Sequence, residues 1–299
     1  MEKIRVKKEN YDKDLEDYKN EIYNKISSDK EFYASLIRDG FCDAEILSHL
    51  STFNDYYNNY LIKKQIKTYA DCVRLNCFNA MFLTKDENKD IVRTFEPFAP
   101  VKEKIDYNSC FITKDFDDEF DNLKWSDIKN ANIKKNISSL IKNNKWIYLS
   151  GATRCGKSYI AIALLNNFIS KNHKKVAFIN ATTRFKELMD LYSSYNKDDK
   201  EEFFKEFDLY CNCDLLVIDD FGNEYKNEGI RDNVVIPLIK NRVSKNKLTI
   251  FTSEFSIDDV CTLYSINKQV GEIKSKQLKN ILRSKIDAEL LISSVPGLY

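Results

Sequence analysis

Three observations predict an α/β fold in this chain, a doubly wound parallel sheet behind a phosphate-binding loop. Residues 151–158 read Gly-Ala-Thr-Arg-Cys-Gly-Lys-Ser, the spacing G-x-x-x-x-G-K-[ST]. An apolar segment, Trp146 to Leu149, precedes that string and a helical run, Tyr159 to Leu165, follows it. A phosphate loop needs this context, a strand behind it and a helix N-terminus ahead. The second observation is Leu215-Leu216-Val217-Ile218-Asp219-Asp220, a short apolar run whose first carboxylate stands 62 residues after Lys157. It reads as a buried central parallel strand that ends in two acids. The third is a regular alternation of β-like and helical segments from residue 122 onward, which such a sheet requires.

Taken in order, residues 1–96 are dense in charge and aromatics, with helical spacing over Tyr11–Ile26, Glu31–Ile37, Asp43–Leu50 and Asp55–Ile66. This predicts a small, mainly helical N-terminal domain without a catalytic signature. Tyr56, Tyr57 and Tyr60 at helical spacing read as core rather than as a platform for stacked bases. Pro97 and Pro100 interrupt the pattern, and polar, irregular 97–121 reads as a linker. Residues 122–299 then carry a helix at Ile133–Lys142, a strand at Trp146–Ser150, and the loop with its helix to about Ser170. A strand at Val176–Ile179 follows, then helices from Thr182 or Thr183 to Tyr192 and over Lys200–Tyr210. After the acidic strand come a helix at Gly229–Val243, a strand at Leu248–Ser253, helices at Asp258–Tyr264 and Lys274–Lys285, and a last strand at Leu290–Ile292. Five β segments result, and a doubly wound sheet binds its ligand at the carboxyl ends of its strands.

The chemistry follows from the loop. Backbone amides of Gly151, Ala152, Thr153, Arg154, Cys155, Gly156, Lys157, Ser158 and Tyr159 can wrap the phosphates of a nucleotide, and Lys157 adds a mobile positive charge at the β/γ end. Two of only seven glycines in the chain, Gly151 and Gly156, stand where the loop requires them. Asp219 is placed to hold Mg²⁺ together with the Ser158 hydroxyl. Asp220 can orient or deprotonate an attacking water, which favours hydrolysis over phosphoryl transfer to a second substrate. The polar end of the next strand, Thr252-Ser253-Glu254, is a position from which a side chain, with Ser253 the candidate, can sense the γ-phosphate or position that water. ATP is favoured over GTP because no guanine-reading Asn-Lys-x-Asp string follows.

Composition narrows the classes. Lys and Arg number 47 against 46 Asp and Glu, a formal charge of +1, so any nucleic-acid contact is local. No apolar stretch approaches the roughly 18 residues that span a bilayer, and Met1–Lys8 lacks a signal-peptide core, so a cytoplasmic protein is expected. The eight cysteines are then thiols. Cys72 and Cys77 have the spacing of half a zinc site, but no second pair is near and His49 and His173 are distant, so zinc is not expected. Cys211 and Cys213 read as packing residues. Cys155, inside the loop at a helix N-terminus, is a candidate redox-sensitive thiol.

Four segments in succession carry a family resemblance: Gly-Ala-Thr-Arg-Cys-Gly-Lys-Ser, Leu-Leu-Val-Ile-Asp-Asp-Phe-Gly-Asn-Glu, Ile-Arg-Asp-Asn-Val-Val-Ile-Pro-Leu-Ile-Lys-Asn-Arg and Thr-Ile-Phe-Thr-Ser-Glu-Phe. Over residues 120–299 the chain resembles the AAA+ replicative helicase loaders of the DnaC/DnaI type, with the DnaI branch the closer likeness. The resemblance implies an AAA+ P-loop NTPase domain behind a helicase-binding N-terminal domain. It implies ATP and Mg²⁺ as ligands, and Lys157, Asp219 and Asp220 as the catalytic set. It implies a trans-acting arginine, best matched by Arg283 in Lys279-Asn280-Ile281-Leu282-Arg283, with Lys285 a competing register. Arg231 and Arg242 become candidates for subunit or DNA contacts. Two departures stand out: Glu254 where the family has Asn, which implies slow hydrolysis, and an N-terminal domain short of the family's zinc-site cysteines.

The resulting expectation is a slow ATP hydrolase that loads the hexameric replicative helicase onto single-stranded DNA during replication initiation or restart, and self-associates through its ATPase domain without a membrane partner. A transposase-helper ATPase of the IstB type has a similar core. A nucleotide-binding adaptor without turnover, which Glu254 suggests, and a phosphotransferase complete the alternatives.

Overall fold

The computed structural model describes residues 8–293, so the segment tested for a signal peptide, Met1–Lys8, lies outside them but for its last residue. The chain forms two compact units that divide between Asp106 and Tyr107.

The first unit holds helices α1 (Lys8–Ser28), α2 (Lys30–Arg38), α3 (Asp43–Ser48), α4 (Leu50–Lys63) and α5 (Tyr69–Arg74). Asp29 caps α2 by accepting from the Phe32 amide at 3.1 Å, and the helix lays Phe32 and Leu36 into the core with Ile46 and Phe53. Tyr57 is buried, and Tyr56, Tyr57 and Tyr60 all set their rings against Phe32, with centroids 4.7–5.3 Å apart. Those tyrosines are packing residues. The helical pattern is followed by an antiparallel hairpin, β1 (Asn79–Lys85) and β2 (Ile91–Pro97), absent from the sequence reading. Strand β2 is exposed along most of its length, so it has no apolar alternation to betray it. Cys72 is buried beside Ala80, Phe98 and Val101, and that burial pushes its thiol pKa up, while Cys77 contacts Asn59.

The stretch 97–121 is not an irregular linker. It forms helix α6 (Ala99–Ser109) and strand β3 (Phe111–Lys114), and β3 pairs with the next strand of the large sheet. With β4 (Ile147–Ser150), β5 (Val176–Asn180), β6 (Leu215–Asp219), β7 (Leu248–Ser253) and β8 (Glu289–Leu291), the sheet has, among the described residues, six parallel strands rather than five, in the order β3-β5-β6-β7-β4-β8. A four-residue edge strand whose residues are all half-buried lacks both the apolar run of a central strand and a clean alternation.

Helices α7 (Ala131–Lys142), α8 (Lys157–Asn172), α9 (Ala181–Ser193), α10 (Lys197–Asn212), α11 (Ile236–Ser244), α12 (Ile257–Leu263) and α13 (Lys268–Lys285) accompany the sheet. Successive strand residues enter opposite cores. Ile147, Leu149, Val217 and Ile250 pack with Ile160 and Leu165 of α8, whereas Tyr148, Leu216, Ile218 and Phe251 pack with Phe185, Leu238 and Leu278. A sheet buried on both faces explains why its central strands read as unbroken apolar runs. Cys211 and Cys213 lie in the second core. The helix expected over Gly229–Val243 opens with a π-turn, Ile230–Val235, before α11. Pro237 cannot donate to the carbonyl four residues earlier, and the wider turn accommodates that lost bond. Among the described residues no helix is long and apolar enough to cross a membrane.

Candidate phosphate-loop site

The loop 151–158 hangs between the end of β4 and the start of α8. Gly151 has φ +148°, and a Cβ there would sit 2.3 Å from the Ile292 carbonyl oxygen, so this position demands glycine. Gly156 caps α8 at φ +97°, another left-handed turn that aims the helix start into the loop. The amides of Lys157, Ser158 and Tyr159 then have no acceptor within the helix and carry the positive end of its dipole. Lys157 is buried, and its ammonium donates to the carbonyls of Gly151 at 3.0 Å and Ala152 at 2.8 Å. Cys155 is buried as well, with Sγ 4.0 Å from Lys157 Nζ, so the thiol read as redox-sensitive has little access to an oxidant.

Strand β6 delivers the two acids. Ser158 Oγ donates to Asp219 Oδ1 at 2.8 Å, joining the loop helix to the strand end as the sequence spacing requires. Asp220 lies past the strand with φ +55°, and its amide donates to Thr252 Oγ1 at 3.0 Å. The same Thr252 hydroxyl donates to Asp219 Oδ1 at 2.5 Å, so one side chain of β7 holds both acids. Asn180 Nδ2 reaches Asp220 Oδ2 at 3.4 Å. Thr252 and Asn180 were not singled out from the sequence as site residues. The parallel register that sets Ile218 beside Phe251, and so Thr252 near the strand end, is the signal that would have found the threonine.

Burial pushes the Asp219 carboxyl above its ordinary value of 3.8, Asp220 adds to the rise, and hydrogen bonds from Thr252 and Ser158 and the charge of Lys157 oppose it. An acid whose folded value is raised destabilises the fold once ionised. That cost starts above pH 3.8 and is complete above the raised value. Asp219→Asn should therefore melt no lower than the parent at pH 7.5 in the absence of metal. Its advantage should shrink as pH falls toward 4, which thermal melts across that range will show. A buried carboxylate next to hydroxyl oxygens is also a donor set suited to a hard cation such as Mg²⁺.

Thr153, Arg154, Gly156, Lys157, Ser158 and Tyr159 line one cleft of about 590 Å³ with Asp219, Asp220 and Glu254. Glu254 Oε1 accepts from Thr153 Oγ1 at 2.6 Å, tying the loop tip to the end of β7. Phe116, Phe120, Ile162 and Phe178 form the apolar part of the cleft lining, which Asp115 and Asp117 join. The segment 115–120 follows β3, in the stretch read as linker.

Three residues expected at functional surfaces, Ser253, Arg231 and Arg242, are buried away from them. Ser253 is fully buried with Oγ donating to the Phe221 carbonyl and accepting from the Phe255 amide, and it does not line the cleft. Thr252, one residue earlier, faces the acids instead, because alternate strand residues point to opposite sides. Arg283 on α13 pairs with Asp258 at 3.2 Å and Glu289 at 2.7 Å and does not line the cleft of its own chain. The competing Lys285 bonds to Asn246. Arg231 and Arg242 are both fully buried and cannot contact a partner subunit or DNA. Arg231 clasps Asp232 and donates to the carbonyls of Tyr264 and Ile266. Arg242 donates to the carbonyls of Tyr210, Cys213 and Leu248 and to Thr249 Oγ1.

The family described as IstB-like ATP binding protein matches residues 106–267, more than half of the chain. The chain is 20% identical over 268 residues to the replicative helicase loader DnaI of Bacillus subtilis (strain 168), covering 79% of this chain and 84% of that protein. A crystal structure of DnaI superposes with a TM-score of 0.51 at 20% identity, over 62% of this chain and 98% of that one, a likeness of fold.

Proposed function

Because the chain belongs to the family of IstB-like ATP binding proteins, we propose that it is an ATP-dependent loader of the hexameric replicative helicase onto single-stranded DNA, with the cleft around Lys157 as its ATP site. What carries the choice of loader is the reach of the likeness to DnaI. It spans 79% of the chain, more than the unit from Tyr107 onward can supply, so it extends into the N-terminal helical unit. That unit is then the docking element for the helicase.

In this reading the amides of Lys157, Ser158 and Tyr159 and the Lys157 ammonium hold the β- and γ-phosphates. Ser158 and Asp219 hold Mg²⁺, which neutralises phosphate charge when bound. Thr252 keeps Asp219 and Asp220 in register, and Asp220 orients the attacking water. Phe116, Phe120 and Tyr159 offer an aromatic wall suited to a nucleobase. Arg283, drawn from Asp258 and Glu289, serves the cleft of a neighbouring copy. ATP binding favours one assembly state until hydrolysis releases the helicase.

The purified protein should retain the replicative helicase of its own cell in a pull-down that responds to MgATP, and a helicase that never binds overturns the loader assignment. Turnover should fall at least about 100-fold in Asp220→Asn, the usual scale for a lost base. A parent without turnover would select an adaptor instead. Glu254→Asn should raise turnover. Removing a like charge beside the γ-phosphate is worth about 1 kcal/mol, roughly fivefold in rate, and an unchanged rate would mean that the Thr153 contact already turns the carboxylate aside. The family description also favours a second reading, a transposase-helper ATPase, for which ATP-dependent filaments on duplex DNA without a helicase would be the sign.

A further inference from the structure

The ATPase unit has a second cavity, at the end of the sheet away from the nucleotide cleft. It measures about 390 Å³, and its lining includes Leu215 and Leu248, the first residues of β6 and β7. Helix α8 connects the two places. Its start carries Lys157 and Ser158 of the phosphate loop, and its other end brings Phe168 and Lys171 to this cavity, about 20 Å away along the helix. A ligand bound here is therefore separate from the ATP site.

The lining divides in two. Ile137, Leu164, Leu215 and Ile250 are buried apolar side chains, and Trp125, Ile141 and Phe168 extend the apolar wall toward solvent. The charged residues of the lining are Lys142 and Lys171, both exposed, and no acid joins them. Among the described residues neither lysine makes an ion pair or a side-chain hydrogen bond. Each stands in the last turn of its helix, α7 or α8, where free carbonyls amount to about half a negative charge. Two ammonium groups against two such halves leave about one net positive charge where the cavity meets solvent. Its size excludes a partner helix, which is about 10–12 Å across with its side chains. It lies instead at the small end of ligand pockets, which run from about 300 to 1,000 Å³. An apolar interior that opens between unpaired ammonium groups matches a small molecule with an apolar tail and one anionic head.

We propose that this cavity binds an amphipathic carboxylate of the medium-chain fatty acid class. Its chain lies against Ile137, Leu164, Leu215 and Ile250, and its carboxylate meets Lys142 and Lys171. The tail displaces water from apolar surface, and each methylene so buried strengthens binding about fourfold. The lysines set the sign of the head group.

Trp125 reports occupancy, because the chain has two tryptophans and the other, Trp146, is fully buried with its indole N–H bonded to the Lys247 carbonyl. Titration of the full chain with decanoate should change tryptophan emission saturably. Trp125→Phe should remove that change while calorimetry still records binding. Hexanoate, four methylenes shorter, should bind on the order of 100-fold more weakly. Lys142→Glu/Lys171→Glu replaces two exposed side chains and should melt like the parent. It should weaken decanoate about tenfold or more and leave the affinity for neutral decanol unchanged. Decanoate that never saturates, decanol or decyltrimethylammonium that binds as tightly, or charge reversal without effect on decanoate would each overturn the site. Attachment to anionic phospholipid vesicles by a protein that ignores free decanoate would also overturn it, since the occupant would then be a membrane.

Discussion

Lys157→Ala should abolish productive nucleotide binding, with turnover lowered about 100- to 1,000-fold, the scale of losing one preorganised donor to developing charge. The ammonium is buried and held by the carbonyls of Gly151 and Ala152, so it lies in the loop before any phosphate arrives. A triphosphate entering the cleft also meets Asp219, Asp220 and Glu254, three carboxylates that disfavour it electrostatically. Lys157 is the one cation of the set that the loop itself buries. Arginine should not substitute, since its planar fork needs more room than the two carbonyl contacts leave and cannot act as a compact point charge. Titration with a fluorescent ATP analogue, alongside phosphate release, measures both effects. Affinity equal to the parent's would remove Lys157 from the site.

Arg242→Ala should destabilise the ATPase unit by about 3–5 kcal/mol, because it strips partners from buried acceptors that each cost about 1–3 kcal/mol when unsatisfied. The guanidinium donates to three backbone carbonyls, in the last turn of α10, at its C-cap Cys213 and at the start of β7, and to the Thr249 hydroxyl. Desolvation pulls its pKa down, and its hydrogen-bond partners are carbonyls, a hydroxyl and the Cys213 sulfur rather than a carboxylate. Water entering the vacated space recovers part of the loss. At roughly 2–4 °C per kcal/mol for a unit of this size, the melting temperature should fall by on the order of 10 °C. Lysine cannot reproduce the fork and should recover little. If Arg242 were instead a DNA contact, the variant would melt like the parent and lose only DNA affinity, and that result would refute the structural role.

Much of the site is legible in the sequence. The loop depends on local chemistry: glycine where a Cβ would strike Ile292, glycine again at the helix cap, and a lysine and serine on the first turn. The Asp219 strand was legible because a sheet covered on both faces produces an uninterrupted apolar run, and its acids mark where that run leaves the core. Strand β3 was missed because an edge strand of four half-buried residues has neither signature, and with it went Phe116 and Phe120, which line the cleft.

Polar residues were the harder class. Ser253 and Thr252 are adjacent, equally hydroxylated and both fully buried, and only strand orientation decides that Thr252 meets the acids. Arg231 and Arg242 look like surface arginines because a charged residue in a helix is most often solvated. Their burial depends on acceptors brought in from residues 210–213, 248–249 and 264–266, none of them adjacent in sequence. Backbone torsion preference and hydrophobic periodicity act over a few residues, so the sequence by itself determined the phosphate loop, the central strands and the α/β alternation. Which polar side chain faces which acceptor is set by strand register and by contacts between distant segments, and only the tertiary structure decided that.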